Sequence, residues 1–443
     1  MPDTAIVASF QRLLQEFSPC FTAPSFSSFL VLVTGWVLNL RRHTVTETVR
    51  AANAVGLKDI TSFHRFFSRG RWLPDALGLV LLRLIVEFLL PVDGPIVAVV
   101  DDSLGRHSGK RIAAAAMHRD PLLSSAARVL FHWGHVWVVL SINVKAFGKT
   151  WSLPVLFRLY RTLKQCQREK RPHRKKPELA RELIALLAAA VPDRTVRALG
   201  DADYTNSSVI KGRPSKVQLI GRARPDAALY EPPPSRRPGQ MGRPLVKGKR
   251  LPTPEQQAAS NNAPWRRVKV SVYGKTAWVQ ALVIDALWYR AAGSELVRLV
   301  VVRGFPGHER DDVFVSTDPK LSAKSIIEGY SERWPLEVTF HECHGRLGFE
   351  DPQNRVQHAV ERTAPMALWA YSLVVLWYLK WGQHTRAARV PQMPWYTSKA
   401  VPAFSDMLAT LRRASWLERL SVPCRDVPTL RKVVRPILEY VAA

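Results

Sequence analysis

The chain has 443 residues and 47% of them are hydrophobic, so it can bury a core and divide into two to four units. Its formal net charge of +28 requires a polyanionic partner, most simply nucleic acid, with a membrane surface as the competing explanation. The four cysteines are scattered without a CxxC pair, which argues against a zinc ribbon or a disulfide framework. With no signal peptide recognisable, we expect a reduced, intracellular protein.

The first 92 residues have the pattern of helices. Apolar residues recur at three- and four-residue spacing in residues 26–40 and 77–90. Between them, a helix that begins after Thr44 is followed by a glycine-containing turn and a second, basic and aromatic helix. This arrangement fits a helix-turn-helix DNA reader, and it fits a small helical bundle with a solvated basic face equally well.

Four β-branched runs then predict buried strands. Residues 95–100 (PIVAVV) lack polar alternation, as expected of a strand covered on both faces, and end at Asp101. Residues 128–144 predict two strands or a long hairpin. Residues 194–200 form a short strand pattern that ends on Asp201, and residues 216–224 predict a further strand. A helix pattern at 177–191 separates these strands, so we expect a mixed α/β fold with one sheet.

The second half of the chain begins with a change of composition. Residues 225–264 are rich in Pro, Gly, Arg and Lys and predict a long, exposed, basic loop. Three alternating strands follow, then a short strand and a long helical stretch at 321–347, and the rest is mostly helical. Residues 364–381 are almost free of charge, and we interpret them as a buried helix rather than a membrane span.

Two acids at the ends of buried strands, Asp101 and Asp201, and one within a helix, Glu337, are the candidate chemical centre. Carboxylates in a dry site need a cation, and oxygen-only ligands favour Mg²⁺ or Mn²⁺. Two such ions can activate a water or a 3′ hydroxyl and stabilise the leaving oxygen of a phosphoryl displacement. Taken singly, however, each acid fits a structural role as well as a catalytic one.

The surrounding motifs are more specific than the acids. VVDDS, GDADY and Tyr330-x-x-Arg333-Trp334-x-x-Glu337, followed by LGF, resemble the DDE transposases of bacterial insertion sequences. The resemblance spans residues 25–382 and implies an RNase H-like catalytic core with a β-strand insertion between the second and third acids. It also implies that Asp101, Asp201 and Glu337 are the catalytic metal ligands. Among the neighbouring acids, Asp102 is expected to point to the opposite side, and Asp203 to support the site or cap a helix.

The resemblance extends to a Tyr, Arg, Glu, Lys signature, in which His344 stands where the family has lysine. A histidine makes a weaker and pH-dependent phosphate contact, so this position departs from the family. The resemblance assigns DNA contacts to Tyr330 and Arg333. Their spacing from Glu337 predicts that all three lie on one face of a continuous helix. Pro335 can begin a second helix, so a slight bend is expected there. Without the resemblance, a surface Arg–Glu pair and a core tyrosine explain these residues. Arg222 and Arg224 are further DNA-binding candidates, or a solvated basic edge.

These expectations divide the chain into a helical DNA-binding region (1–92), the first part of the core (93–224), a basic loop and β insertion (225–310), the second part of the core (311–382) and a C-terminal helical region (383–443). The implied function is DNA cleavage at element ends and strand transfer, with two Mg²⁺ or Mn²⁺ ions and a homodimer on DNA. The implied location is the bacterial cytoplasm, at the nucleoid, without a membrane. The alternatives are a nuclease without strand transfer and a non-catalytic, domesticated DNA-binding protein.

Overall fold

The computed structural model describes residues 6–120, 123–125, 127–235, 241–390 and 397–421. Within these ranges the chain forms one large mixed sheet with helices packed against it, which confirms the expected mixed α/β class.

The N-terminal region is helical, as predicted. Its helices are α1 (Ala8–Gln15), α2 (Ala23–Leu38), α3 (Val45–Ala51), α4 (Ile60–Ser68) and α5 (Pro74–Leu89). The Thr44 side chain caps α3, as the sequence suggested. The connection to α4 spans residues 52–59, longer than the three or four residues of a helix-turn-helix. The three phenylalanines of α4 are buried, whereas His64 and Arg65 are exposed.

Within the described residues, the first part of the sheet is built from six strands, with three helices between them in the chain. The strands are β1 (Ile96–Arg106), β2 (Ala116–Arg119), β3 (Phe131–Ala146), β4 (Lys149–Leu159), β5 (Val196–Leu199) and β6 (Val217–Arg222), and the helices are α6 (Leu163–Arg168), α7 (Lys176–Ala190) and α8 (Ser207–Ile210). Two predictions are corrected here. β1 does not end at Asp101 but continues to Arg106, because its second half pairs with β3. Residues 131–146 form one strand, not two, and the hairpin partner is β4.

The predicted insertion continues the same sheet. Its elements are β7 (Leu229–Tyr230), β8 (Arg250–Leu251), α9 (Pro254–Ala258), β9 (Arg266–Val272), β10 (Lys275–Leu287), α10 (Tyr289–Ala292) and β11 (Leu296–Arg303), and the strand with which the core resumes is β12 (Asp312–Ser316). The strand order is β2-β3-β1-β5-β6-β12-β11-β10-β7-β8, with β4 beside β3 and β9 beside β10. The basic segment expected to be an irregular loop therefore contains two short strands and a helix; its residues 236–240 lie outside the described ranges.

The remaining described chain is helical: α11 (Ala323–Ser331), α12 (Trp334–Arg346), α13 (Gln357–Thr363), α14 (Pro365–Lys380) and α15 (Phe404–Ser421). Every residue of α14 from Pro365 to Tyr378 is buried, as expected of a helix inside the protein. Among the described residues, the structure contains no helix with the length and apolar character needed to span a bilayer.

Candidate active site

The register of two neighbouring strands brings the first two acids together. β1 and β5 run parallel, and their last paired residues are Val99 and Leu199. Asp101 and Asp201 each follow two residues after this pair, so both lie at the same edge of the sheet. This is the carboxyl edge of parallel strands, where ligand sites form in open α/β sheets. The predicted meeting of the two acids thus follows from strand pairing, although β1 itself continues past Asp101.

Asp101 is mostly buried, with 16% of its side chain exposed. Its Oδ2 accepts a hydrogen bond from Arg333 Nη1 at 2.8 Å, and its Oδ1 accepts one from the backbone N–H of Asp102 at 2.8 Å. Burial raises the pKa of Asp101 to about 7; the nearby charges of Asp201 and Asp102 add to the rise, and Arg333 opposes it. The site therefore holds a carboxyl group whose charge is incompletely compensated.

Asp201 is held by a turn of its own segment. Its Oδ1 accepts hydrogen bonds from the backbone N–H groups of Asp203 at 2.9 Å and Tyr204 at 3.2 Å. Burial and then the charge of Asp203 raise the pKa of Asp201, against Arg333. Asp203 does not cap a helix: Asn206 provides the cap of α8, and Asp203 is exposed.

Glu337 reaches the other acids through Arg333. The Arg333 guanidinium donates from Nη1 to Asp101 and from Nη2 to Glu337 Oε1, at 2.7 Å. Burial opposes the arginine's charge, but Asp101 and Glu337 together raise the pKa of Arg333 above its ordinary value. The helix is not continuous, because α11 ends at Ser331 and α12 begins at Trp334, so the slight bend expected at Pro335 is a break between two helices, with Pro335 in the first turn of the second. Arg333 lies in this break, at the N-terminus of α12.

Tyr330 belongs to the core rather than to the open surface. Only 7% of the residue is exposed, and its ring lies on Phe314 with centroids 4.5 Å apart. The Arg333 guanidinium lies 5.8 Å from the Tyr330 ring centroid. The Tyr330 ring therefore packs beside the Arg333 guanidinium. The predicted contact of Tyr330 with DNA stays a prediction.

The other predicted DNA-binding residues have different partners and different exposure. His344 Nε2 lies 3.1 Å from Ser103 Oγ on β1, and its Nδ1 lies 3.4 Å from Glu350. Arg222 pairs with the buried Asp312. Arg224 pairs with Asp226, and 78% of the Arg224 side chain is exposed. The structure thus places His344 beside β1, whereas Arg222 is the last residue of β6 and Arg224 follows that strand.

Two residues that the sequence did not single out, Tyr204 and Lys176, complete the region as partners of Asp102. Asp102 does point away from Asp101, and it accepts hydrogen bonds from the Tyr204 hydroxyl at 2.5 Å and from Lys176 Nζ at 2.9 and 3.0 Å. The only sequence signal for Tyr204 was its place in GDADY. Lys176 is one of many basic residues in 161–176, and the sequence does not mark it out from the others, because its partner Asp102 is distant in the chain.

The donor set is suited to a hard divalent cation, since it consists of carboxylate oxygens with uncompensated charge. Within the described parts of the chain, however, no three His, Cys, Asp or Glu side chains converge as a metal-binding group. The Arg333 guanidinium lies between Asp101 and Glu337 and is the cation that these two acids share. Asp101 and Glu337 are therefore held together by the positive charge of Arg333, a residue of the protein itself.

Comparison with known families decides what kind of protein carries this site. The sequence model of the DDE superfamily endonucleases matches residues 16–283, more than half of the chain. The chain belongs to this family. No protein with a curated description matches it. DDE superfamily endonucleases act on DNA and generally use divalent metals, and the large mixed sheet is consistent with their RNase H-like fold. The match includes Asp101 and Asp201 and ends before Tyr330, Arg333 and Glu337.

Proposed function

We propose that this DDE endonuclease is a bacterial transposase that cleaves DNA at the ends of a mobile element and joins them to target DNA. The observation that carries the proposal is the shared edge of β1 and β5, which carries Asp101 and Asp201, together with Arg333, which joins Asp101 to Glu337. A net charge of +28 fits a polyanionic substrate of considerable length.

Asp101, Asp201 and Glu337 would hold Mg²⁺ or Mn²⁺, most simply two ions. When bound, such ions supply an activated water or 3′ hydroxyl and stabilisation of the leaving oxygen. The protein's own contribution is positioning and charge. Arg333 places a positive charge beside Asp101 and Glu337, and that charge would attract a DNA phosphate group to the acids. Tyr330 holds the guanidinium in place by its ring.

Recognition and assembly follow from the same proposal. The helices α3 and α4 expose basic residues such as Arg65 and would bind the terminal inverted repeats. Two ends must be brought together before they are joined, so we propose a homodimer on DNA, with the C-terminal helices as the candidate contact. The DNA substrate would place the protein at the bacterial nucleoid.

The decisive experiment uses a labelled duplex that carries the inverted repeats flanking the gene. Asp101→Ala and Glu337→Ala should lose Mg²⁺-dependent cleavage while retaining DNA binding in a gel-shift assay. Asp93→Ala, an exposed acid in the loop before β1, is the matched control and should cleave normally. Cleavage that survives in Asp101→Ala would refute the metal assignment.

Strand transfer needs a separate readout. A pre-cut end with a free 3′ hydroxyl, incubated with the protein and a target plasmid, should yield joined products. If cleavage occurs and joining does not, the protein is a nuclease without strand transfer. If neither occurs while DNA is bound, it is a non-catalytic DNA-binding relative.

A further inference from the structure

The face of β1 opposite Asp101 carries a second polar cluster, which the reaction outlined above does not use. It consists of Asp102, Tyr204 and Lys176. Asp102 accepts from the Tyr204 hydroxyl at 2.5 Å through Oδ1 and from Lys176 Nζ through both oxygens. The three residues come from β1, from the turn after β5 and from the start of α7, so the cluster joins three separate segments.

Tyr204 is the residue that connects this cluster to the candidate metal ligands. Its backbone N–H donates to Asp201 Oδ1 at 3.2 Å, while its hydroxyl donates to the carboxylate next to Asp101. Only 2% of the residue is exposed. One rigid side chain therefore spans the distance between the segments that carry the first two acids.

The local backbone is shaped to let the tyrosine approach. A Cβ added at Gly200 would lie 2.8 Å from Tyr204 Cβ, closer than such atoms normally come. Glycine at position 200 thus allows the turn after β5 to fold the ring back towards β1. Burial and the Asp102 charge raise the pKa of Tyr204 well above its ordinary value, so the hydroxyl stays a donor.

Lys176 balances the charge on this side of the strand. It is the first residue of α7, and 31% of its side chain is exposed. Without it, the carboxylate of Asp102 would stand uncompensated beside Asp101, whose ionisation Asp102 already opposes. Lys176 allows the two adjacent acids to carry charge on opposite faces of one strand.

We propose that Tyr204, with Asp102 and Lys176, is a positioning unit that sets the separation of Asp101 and Asp201 for divalent cation binding. This inference rests on the proposed function, since it assumes that these two acids are metal ligands. Groups behind the ligands orient them, and their loss typically lowers metal affinity by about 10- to 100-fold. A displacement of about 1 Å in a catalytic group can lower the rate about 100-fold.

The test is a Mn²⁺ titration of the full-length, DNA-free protein, with free Mn²⁺ followed by its electron paramagnetic resonance signal. Tyr204→Phe keeps the ring and removes only the hydroxyl, and should weaken Mn²⁺ binding by about 10-fold. Tyr378→Phe, a buried tyrosine on α14, is the matched control and should bind Mn²⁺ like the parent protein.

A second readout separates positioning from general stability. In the cleavage assay, Tyr204→Phe should require about 10-fold more Mn²⁺ for half-maximal rate, with an unchanged KM for DNA. Lys176→Met, at the more exposed end of the cluster, should act in the same direction, and Lys176→Arg should restore binding. The lysine variants provide the test if Tyr204→Phe lowers the folded fraction.

The outcomes distinguish this inference from the proposed function. If Asp101→Ala abolishes Mn²⁺ binding while Tyr204→Phe and Lys176→Met leave it unchanged, the positioning unit is refuted and the proposed function stands. If Asp101→Ala itself leaves Mn²⁺ binding unchanged, the metal site is wrong and both proposals fall. Weakened binding in Tyr204→Phe with a normal Tyr378→Phe supports the inference.

Discussion

The two faces of β1 carry adjacent aspartates in opposite situations. Asp102 has both oxygens engaged, by the Tyr204 hydroxyl and by Lys176 Nζ. Asp101 shares the Arg333 guanidinium with Glu337 and lies near the like-charged Asp201. The comparison shows that residue type alone does not distinguish an aspartate suited to bind a metal ion from one with a structural role. The acid left short of positive charge is the one suited to bind a metal ion.

The largest effect expected from this comparison is on cleavage. Asp101→Asn should lower the rate of Mg²⁺-dependent cleavage by about 10³-fold or more, because loss of a ligand removes several kcal/mol of transition-state stabilisation. Asp102→Asn should lower it by only about 10- to 100-fold, as expected of a supporting group. Single-turnover rates on a labelled duplex measure both. If Asp101→Asn and Asp102→Asn lower the cleavage rate equally, the proposed difference between the two faces of β1 is wrong.

The second effect concerns stability as a function of pH, in the metal-free protein. An ordinary aspartate in the unfolded chain loses its proton near pH 4, whereas Asp101 in the folded protein keeps it until about pH 7. The folded state therefore loses stability as pH rises between these values, by up to about 4 kcal/mol. Asp101→Asn should remove the part of this slope that Asp101 contributes, while the part due to Asp201, whose pKa is also raised, should remain.

Urea unfolding in EDTA between pH 4.5 and pH 8 measures that slope. Asp93→Asn, with an exposed acid, should keep the pH profile of the parent protein. Parallel profiles for Asp101→Asn and the parent protein would show that the charge of Asp101 is already compensated.

The third effect tests the shared cation. Arg333→Ala should lower the free energy of unfolding by about 1–3 kcal/mol at pH 8, less than for a fully buried pair because Glu337 is partly exposed. Since Arg333 opposes the rise in the Asp101 pKa, its removal raises that pKa further above 7. The loss should therefore be smaller at pH 5, where Asp101 is protonated. Denaturant titrations in EDTA at pH 5 and pH 8 measure the loss of unfolding free energy in Arg333→Ala at each pH.

The smallest effect is expected for a charge that lies on neither face of β1. Arg224 is largely exposed and pairs with an exposed partner, so Arg224→Ala should leave the thermal midpoint unchanged. If Arg224 contacts a DNA phosphate, its removal should weaken binding a few-fold and reduce the salt dependence by about one charge. Fluorescence anisotropy at several salt concentrations measures this, and an unchanged salt slope would place Arg224 outside the DNA contact.

Much of the fold was predictable because it depends on local patterns. The uniformly apolar run before Asp101 and the short run before Asp201 were correctly assigned to buried strands, and the alternating runs after residue 264 to the strands of the insertion. Errors occurred where pairing between distant segments extends or joins elements. β1 continues past Asp101 because β3 offers hydrogen-bond partners up to Arg106. The insertion joins the core sheet because β12 pairs with both β11 and β6.

For the candidate site, the order of Asp101, Asp201 and Glu337 along the chain can be read from the sequence alone, and the alternation of side chains along a strand, which is local, predicts that Asp101 and Asp102 face opposite sides. The choice of Asp101 over Asp102 as a metal ligand and the departure at His344 rest on the resemblance to DDE transposases and stay predictions. The hydrogen-bond and ion-pair partners of each acid depend on the tertiary structure. Arg333 is 232 residues from Asp101, and Tyr204 is 102 residues from Asp102. Contacts over such separations arise from strand register and helix packing, which no short segment of the chain encodes.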